Sequence, residues 1–209
     1  MRIAILGGAF DPPHIGHYLV ARQTLEKLHM DEVWFMVCYQ YFPEFPIKNF
    51  RISSYTYRYK MVEYISTPPL IVSNFESNFN KSSKTINTLR LLKEHYPQHM
   101  FYWIIGSDQL ETFRLWNKWS DIVQNHNLII FPRDTNFVNL ENRVKRAFQL
   151  NIIPSHIIIL EETELIVSNI SSSLIRKRIR TGLPIKGMVD EKVERYIRKN
   201  KLYKIPNVK

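Results

Sequence analysis

The fold is decided by MRIAILGGAFDPPHIGH, residues 1–17. Its apolar run at residues 3–6 predicts a buried strand, the glycines and prolines after it predict a tight loop, and a helical pattern then begins. The whole chain has six glycines, and three of them, Gly7, Gly8 and Gly16, lie here. Glycines after a buried strand let backbone N–H groups approach a ligand, and a helix N-terminus attracts negative charge. The stretch therefore predicts a phosphate-binding loop.

Two histidines, His14 and His17, lie three residues apart at the predicted start of this helix. If the turn is helical, both imidazoles share one face and can contact the same phosphate chain. A zinc site is an alternative, but the other histidines are scattered and no matching Cys or Glu motif accompanies them. A pair of ordinary turn histidines is a second alternative, and it leaves the clustered glycines unexplained.

Length and composition set the class of protein. A chain of 209 residues with no Ser-, Gly- or Pro-rich linker is expected to fold as one domain around one core. Hydrophobic residues at 44% argue against disorder, and no apolar run approaches the roughly 20 residues of a spanning helix. We expect no membrane attachment and, without a secretory signal, a cytoplasmic protein. The single cysteine, Cys38, excludes an intrachain disulfide and is expected to be buried on the second strand.

The net charge is +10, from 29 Lys and Arg against 19 Asp and Glu. A basic field attracts nucleotides and nucleic acids alike, so the charge alone does not choose between them. The basic residues are spread, with modest clusters at residues 176–180 and 199–209, as expected of solvated helix faces. We therefore predict a small nucleotide as the ligand and no nucleic acid. The sequence leaves the oligomeric state open, a homo-oligomer included.

Apolar runs alternate with helical patterns along the whole chain. The predicted strands are residues 3–6, 33–38, 70–72, 101–105, 128–131 and 157–160, and the predicted helices are residues 15–29, 55–65, 82–96, 108–123, 140–150 and a helical part at about 171–203. This pattern indicates an α/β fold, a Rossmann-like, doubly wound parallel sheet with helices on both faces, in a single domain at residues 1–209. Such sheets bind ligands at the carboxyl ends of their strands, so Gly8 and Gly106 should face one crevice. The chain has neither a GxGxxG fingerprint nor a GxxxxGK[ST] loop, which disfavours a dehydrogenase or a P-loop ATPase.

A second anion site is predicted where three serines, Ser171, Ser172 and Ser173, precede the apolar residues of a further helix. One of these serines is expected to cap the helix. Arg176 follows in the first turn and adds a bidentate donor to the backbone N–H groups, so the segment is also suited to phosphate.

Two motifs carry a family resemblance. GGAFDPPHIGH at residues 7–17 and ISSSLIR at residues 170–176 resemble the two signatures of the HxGH nucleotidyltransferase superfamily. The closer resemblance is to the bacterial nicotinate mononucleotide adenylyltransferase family, because SKTINTL at residues 83–89 is similar to its SYTxxTL segment and IIGSD at residues 104–108, with Phe113 and Trp116, is similar to its IIGxDxLxxFxxW segment. With Arg133 and the C-terminal residues 196–203, the similarity covers nearly the whole chain.

The resemblance implies a reaction and a set of roles. AMP would pass from ATP to nicotinate mononucleotide, giving nicotinate adenine dinucleotide and pyrophosphate, with Mg²⁺ held mostly by ATP. The implied catalytic residues are His14, His17 and Arg176. The implied ATP-binding residues are Gly7, Gly8, Ala9, Phe10, His14, His17, Gly106, Asp108, Ile170, Ser171, Ser172, Ser173 and Arg176. The implied substrate-binding residues are Lys48, Thr85, Trp116 and Arg133.

Several of these residues have plainer alternatives. Trp116 is also consistent with a core aromatic stripe, Asp108 with a helix N-cap, and Arg133 with a solvated loop residue. The chain departs from the family pattern around Lys48, and Lys84 replaces the usual tyrosine of SYT. Nicotinamide mononucleotide or phosphopantetheine are alternative acceptors. A basic nucleotide- or nucleic-acid-binding protein without turnover is the alternative of another class.

Overall fold

The computed structural model describes residues 1–40, 52–79, 83–133, 139–160 and 165–204. Within these residues the strands are β1 (Arg2–Gly8), β2 (Glu32–Val37), β3 (Leu70–Ser73), β4 (Met100–Gly106), β5 (Asn127–Phe131) and β6 (Ile157–Ile159). The α-helices are α1 (Ile15–Lys27), α2 (Tyr55–Ile65), α3 (Phe75–Asn78), α4 (Thr85–His95), α5 (Trp119–Asn125), α6 (Leu140–Phe148), α7 (Ser172–Arg180) and α8 (Glu191–Lys199). All six predicted strands are present, with ends that differ by one or two residues.

The strands form one parallel sheet in the order β3-β2-β1-β4-β5-β6. The chain builds outward from β1 to β3, returns to the middle of the sheet, and builds outward again from β4 to β6. The predicted doubly wound fold is therefore confirmed. The change of direction lies between β1 and β4, which are adjacent, so the loops after Gly8 and Gly106 flank the crevice where such sheets bind ligands.

Helices cover both faces of the sheet because neighbouring strand residues point to opposite sides. Ala4 of β1 belongs to one apolar cluster, and Ile3 and Ile5 belong to the other. The first cluster is completed by buried residues of α1, α2, α7 and α8, for example Val20, Met61, Ile175 and Val193. The second is completed by buried residues of α3 to α6, for example Phe75, Leu89, Ile122 and Val144. Helices α7 and α8 make up the predicted C-terminal helical part and lie on the same face as α1.

The predicted helix at residues 108–123 is wrong. The chain instead forms two short 3₁₀ turns at residues 107–109 and 113–115 before α5 begins at Trp119. A continuous helix is interrupted because Trp116 has an extended ψ of 138° and Lys118 adopts a left-handed φ of 52°. The turns bury Leu110 and Phe113 against the sheet, which satisfies the apolar spacing that suggested a helix.

Smaller differences occur at the ends of other elements. Helix α4 begins at Thr85, three residues after its predicted start, and the hydroxyl of Ser83 before it accepts N–H bonds from Tyr39 at 2.9 Å and Gln40 at 3.0 Å. Cys38 lies one residue beyond β2 and is half-buried, so its predicted place on the strand is also wrong. The helices of the described residues include none that is long and apolar enough to cross a membrane.

Candidate active site

The rings of the two histidines of the first motif contact each other beyond the carboxyl end of β1. His14 is the last extended residue before α1, and the ring centroids of His14 and His17 lie 3.7 Å apart. The backbone N–H of His14 donates to Nδ1 of His17 at 3.2 Å. Phe10, with a left-handed φ of 50°, places its ring 4.8 Å from His17. Because α1 begins directly after His14, the predicted i and i+3 placement of the imidazoles is confirmed.

Both imidazoles are held neutral at physiological pH. Burial and, to a smaller extent, the positive charge of Arg133 lower the pKa of His14 to about 3. Burial, His14 and Arg133 together hold the pKa of His17 well below its ordinary value. A neutral His17 that accepts at Nδ1 carries its proton on Nε2, so it presents one N–H donor. Nδ1 of His14 is buried and has no hydrogen-bond partner within the described residues.

Two of the three clustered glycines, Gly7 and Gly16, are required by close packing. A Cβ on Gly7 would overlap the Trp103 ring on β4, and a Cβ on Gly16 would lie 3.0 Å from Nδ1 of His14. A Cβ on Gly8 would make an ordinary contact with the Phe10 ring at 3.4 Å. Gly7 therefore makes room for the Trp103 ring, and Gly16 makes room for the imidazole of His14. The first N–H of α1, that of Ile15, already donates to the carbonyl of Met188 at 2.9 Å.

The second motif lies against the first. Arg176 donates from Nη1 to the carbonyl of Asp11 at 2.6 Å, and the hydroxyl of Ser172 donates to the carbonyl of Pro12 at 2.8 Å. Arg176 also donates from Nη2 to the hydroxyl of Ser173 at 3.0 Å. Segments about 160 residues apart in sequence thus meet at one place, as the sequence predicts for two motifs around one phosphate chain.

Two further residues of the second motif complete this junction. Ser171 is the N-cap of α7, since its hydroxyl accepts from the N–H of Leu174 at 3.2 Å. The carbonyl of Ile170 lies 3.7 Å from the position that a Cβ on Gly16 would take. The capping role predicted for one of the serines is therefore confirmed, and it belongs to Ser171.

A cluster of charged side chains lies where β4 and β5 end. A Cβ on Gly106 would lie 2.8 Å from Cδ of Arg133 and would overlap the carboxylate of Asp108. Nη1 of Arg133 is 3.8 Å from the Asp108 carboxylate, and the Arg133 N–H donates to the hydroxyl of Ser107 at 2.9 Å. Arg133 is thus packed across Gly106 and is near enough to lower the pKa of both histidines. It is not a solvated loop residue.

The remaining residues predicted to bind the acceptor nucleotide are Thr85, Trp116 and Lys48. Thr85 is the first residue of α4. Trp116 follows the second 3₁₀ turn, is half-buried, and packs on Phe113 with ring centroids 4.9 Å apart. Part of its ring is therefore free to contact a ligand. Lys48 lies outside the described residues.

A buried polar network beneath the loop was not found by sequence reasoning. Arg58 of α2 is 1% exposed and donates to the carbonyls of Ala9 and Ser53, both at 2.9 Å. Its Nη1 also lies 3.6 Å from Sγ of Cys38, whose pKa burial raises to about 11. Helical spacing alone could have indicated this position, because Arg58 shares its face of α2 with buried Met61 and Ile65.

A second buried charge anchors the start of α4. Glu76 accepts from the hydroxyl of Thr88 at 2.7 Å and from the N–H of Tyr39 at 3.2 Å, and burial raises its pKa. The network thereby fixes β2, α2 and α4 around the site. Among the described residues, no group of three His, Cys, Asp or Glu side chains could hold a metal ion.

Comparisons with known proteins give the family of the chain. The model of the cytidylyltransferase-like family matches residues 5–178. The "probable nicotinate-nucleotide adenylyltransferase" of Bacillus licheniformis is 34% identical over 204 residues, covering 97% of this chain and 98% of that protein. The chain belongs to the nicotinate-nucleotide adenylyltransferase family.

A second bacterial relative and a solved structure match over nearly the whole length of both chains. The "probable nicotinate-nucleotide adenylyltransferase" of Flavobacterium johnsoniae is 31% identical, covering 98% of this chain and all of that protein. The structure of Plasmodium falciparum nicotinic acid mononucleotide adenylyltransferase complexed with NaAD has a TM-score of 0.78, with 22% identity and 97% of each chain covered. The solved structure thus shares the fold of this chain, and the bacterial sequences share its family.

Proposed function

We propose that this protein transfers AMP from ATP to nicotinate mononucleotide. A phosphate oxygen of the mononucleotide attacks the α-phosphorus of ATP, the bond from that phosphorus to the bridging oxygen breaks, and pyrophosphate leaves. The observation that carries this proposal is the junction of the two motifs, where Arg176 and Ser172 bond to the backbone beside the His14 and His17 pair. Family membership supports the same reaction.

The reaction needs positioned donors more than a general base. The attacking phosphate monoester is already ionised near neutral pH, because its second pKa is about 6. The barrier comes from bringing two polyanions together and from charge that develops on the oxygens of the α-phosphate and the leaving group. The Nε2–H of His17 and the guanidinium of Arg176 supply donors for those oxygens. Neutral histidines fit this role, since they donate a hydrogen bond and do not lose a proton in the reaction.

The acceptor would lie on the opposite side of the same crevice. Arg133 is close to both histidines and to Asp108, so it can hold the mononucleotide phosphate in line with the α-phosphorus. Asp108 would accept hydrogen bonds from the ribose hydroxyls of the adenosine. The half-buried ring of Trp116 would stack on the pyridine, and the N–H groups at the start of α4, at Thr85, would bind its carboxylate.

Mg²⁺ enters this proposal as part of the substrate. It prefers phosphate oxygens and water, so ATP itself would carry it into the site. A titration of the initial rate with Mg²⁺ at fixed ATP tests this, and the rate should saturate as the MgATP complex forms.

The experiment that tests the proposal measures pyrophosphate release with ATP and each of three acceptors. Nicotinate mononucleotide should give the highest kcat/KM, ahead of nicotinamide mononucleotide and phosphopantetheine. Equal or greater activity with phosphopantetheine would overturn the assignment. Absence of pyrophosphate release with all three, together with tight and salt-dependent binding of RNA or DNA, would favour the non-catalytic alternative.

A further inference from the structure

Asp11 is the point where three segments of the chain meet below the proposed phosphate site. It is 1% exposed, and its Oδ1 accepts from the hydroxyl of Tyr203 at 2.6 Å. Its Oδ2 accepts from the N–H of Ser53 at 3.1 Å, and its carbonyl accepts from Arg176 at 2.6 Å. A buried carboxylate is costly unless each oxygen is paired, and here both oxygens are.

Tyr203 comes from the far end of the chain, 192 positions after Asp11. Burial and the neighbouring carboxylate raise the pKa of Tyr203 well above its ordinary value, so the hydroxyl keeps its proton and donates. The ring packs against the apolar cluster beneath α1 and α8. The ring thus anchors the C-terminal segment, while the hydroxyl makes a separate bond to the loop.

The loop held by this bond carries the reactive groups. His14 follows Asp11 by three residues, and the carbonyl of Asp11 is the acceptor that orients Arg176. A rotation of the Asp11 side chain would also release the N–H of Ser53, which precedes α2. The hydroxyl of Tyr203 is therefore linked through Asp11 both to the loop that carries His14 and to the residue that accepts from Arg176.

We propose that Tyr203 is a positioning residue for adenylyl transfer, acting through the carboxylate of Asp11 to hold the His-bearing loop and Arg176 in place for ATP. The kinetic consequence of this proposal rests on the proposed function. The proposal also predicts a higher Kd for ATP when the hydroxyl is removed, which is measured without AMP transfer.

The test uses the full chain with Tyr203→Phe, which keeps the ring and removes one oxygen. Tyr196→Phe is the matched control, since the ring of Tyr196 packs on Tyr57 and Tyr64 on the same face of the sheet. We expect Tyr203→Phe to raise the Kd for ATP and to lower kcat/KM for ATP, each by about 10-fold. This is the range expected for the loss of one hydrogen bond to a charged group. Tyr196→Phe should change neither by more than about 2-fold.

A double variant decides whether the effect passes through Asp11. If it does, Tyr203→Phe adds little to the loss caused by Asp11→Ala, which removes the accepting oxygens, whereas independent effects would multiply. Multiplying losses would overturn the proposal, as would an unchanged Kd for ATP in a Tyr203→Phe protein that only melts at lower temperature. If the wild type binds ATP but transfers no AMP, the proposed function fails, and the Kd values alone then decide the role of Tyr203. A wild type that does not bind ATP would overturn both.

Discussion

Arg176 donates from Nη1 to the carbonyl of Asp11 at 2.6 Å and so joins two motifs that lie 165 positions apart. Its Nη2 bonds to Ser173 in the same helix. The guanidinium is therefore fixed at two points, one of them on the loop that leads to His14. This arrangement ties a permanently charged, planar donor group to the loop that carries the two neutral imidazoles.

Arg176→Lys should lower kcat/KM for ATP by about 10- to 100-fold. A lysine keeps the charge but cannot bond to both the Asp11 carbonyl and the Ser173 hydroxyl while also reaching a phosphate. Pyrophosphate release at varied ATP measures the loss. Arg178→Lys is the matched control on α7, because Arg178 bonds to the carbonyl of Pro184 and belongs to no proposed site. Equal activity of the two variants would contradict the role of Arg176.

His17→Ala should leave the fold intact and lower kcat by about 100-fold or more, the usual effect of removing one donor to the transition state. The variant loses the Nε2–H donor and the acceptor for the His14 N–H. Single-turnover AMP transfer, followed with radiolabelled ATP, separates this loss from a change in binding. His95→Ala, an exposed position at the end of α4, is the control. A fully active His17→Ala protein would show that the imidazole is not part of the chemistry.

The sheet and the loop that carries the two histidines follow from patterns that are visible in the sequence. The continuous apolar runs identified the six strands of the described residues, and the clustered glycines with His14 and His17 identified the loop at the switch point. What the glycines do was predicted incompletely. Gly7 makes room for Trp103 from the neighbouring strand, a contact that depends on strand order and cannot be read from local spacing.

The features that sequence reasoning missed are all set by tertiary packing. Residues 108–123 have helical apolar spacing, but burial of Phe113 against the sheet favours two tight turns over a helix. The bonds of Arg58 to Ala9 and of Tyr203 to Asp11 join positions far apart in sequence, and neither polar residue carries a local signal of its partner. Tertiary contact decided these cases, whereas local pattern decided the sheet.

Gly106→Ala should raise the KM for both substrates and lower kcat/KM by about 10-fold or more. The backbone of Gly106 has an ordinary φ of −69°, so alanine causes no backbone strain there. Its Cβ would instead overlap the Asp108 carboxylate and displace Arg133, whose Cδ would lie 2.8 Å away. Initial rates at varied ATP and varied mononucleotide measure both effects. Unchanged KM values would mean that neither Asp108 nor Arg133 contacts a substrate from this position.

Arg58→Leu should lower the free energy of unfolding by about 2–5 kcal/mol, because it leaves two partly buried carbonyls without their donor and removes a fully buried side chain's hydrogen bonds. The carbonyls are those of Ala9 and Ser53. Arg58→Lys should lose less, since it keeps one donor. Urea unfolding followed by circular dichroism gives the values, with Lys60→Leu on the exposed side of α2 as the control. Similar stability of Arg58→Leu and Lys60→Leu would contradict the role of the buried guanidinium.

The stability of the protein should fall as the pH drops from about 6.5 toward 3, and His14 should account for part of that fall. The pKa of His14 is about 3 in the folded protein and near its ordinary 6.5 in the unfolded chain. Between these values the unfolded chain binds a proton that the folded protein does not, so unfolding is favoured by acid, at up to about 1.4 kcal/mol per pH unit. Urea unfolding at pH 7.5 and pH 5.0 should show that the wild type loses about 2 kcal/mol more than His14→Asn, which cannot titrate. Equal losses for the two proteins would mean that His14 is not held neutral by burial and by Arg133.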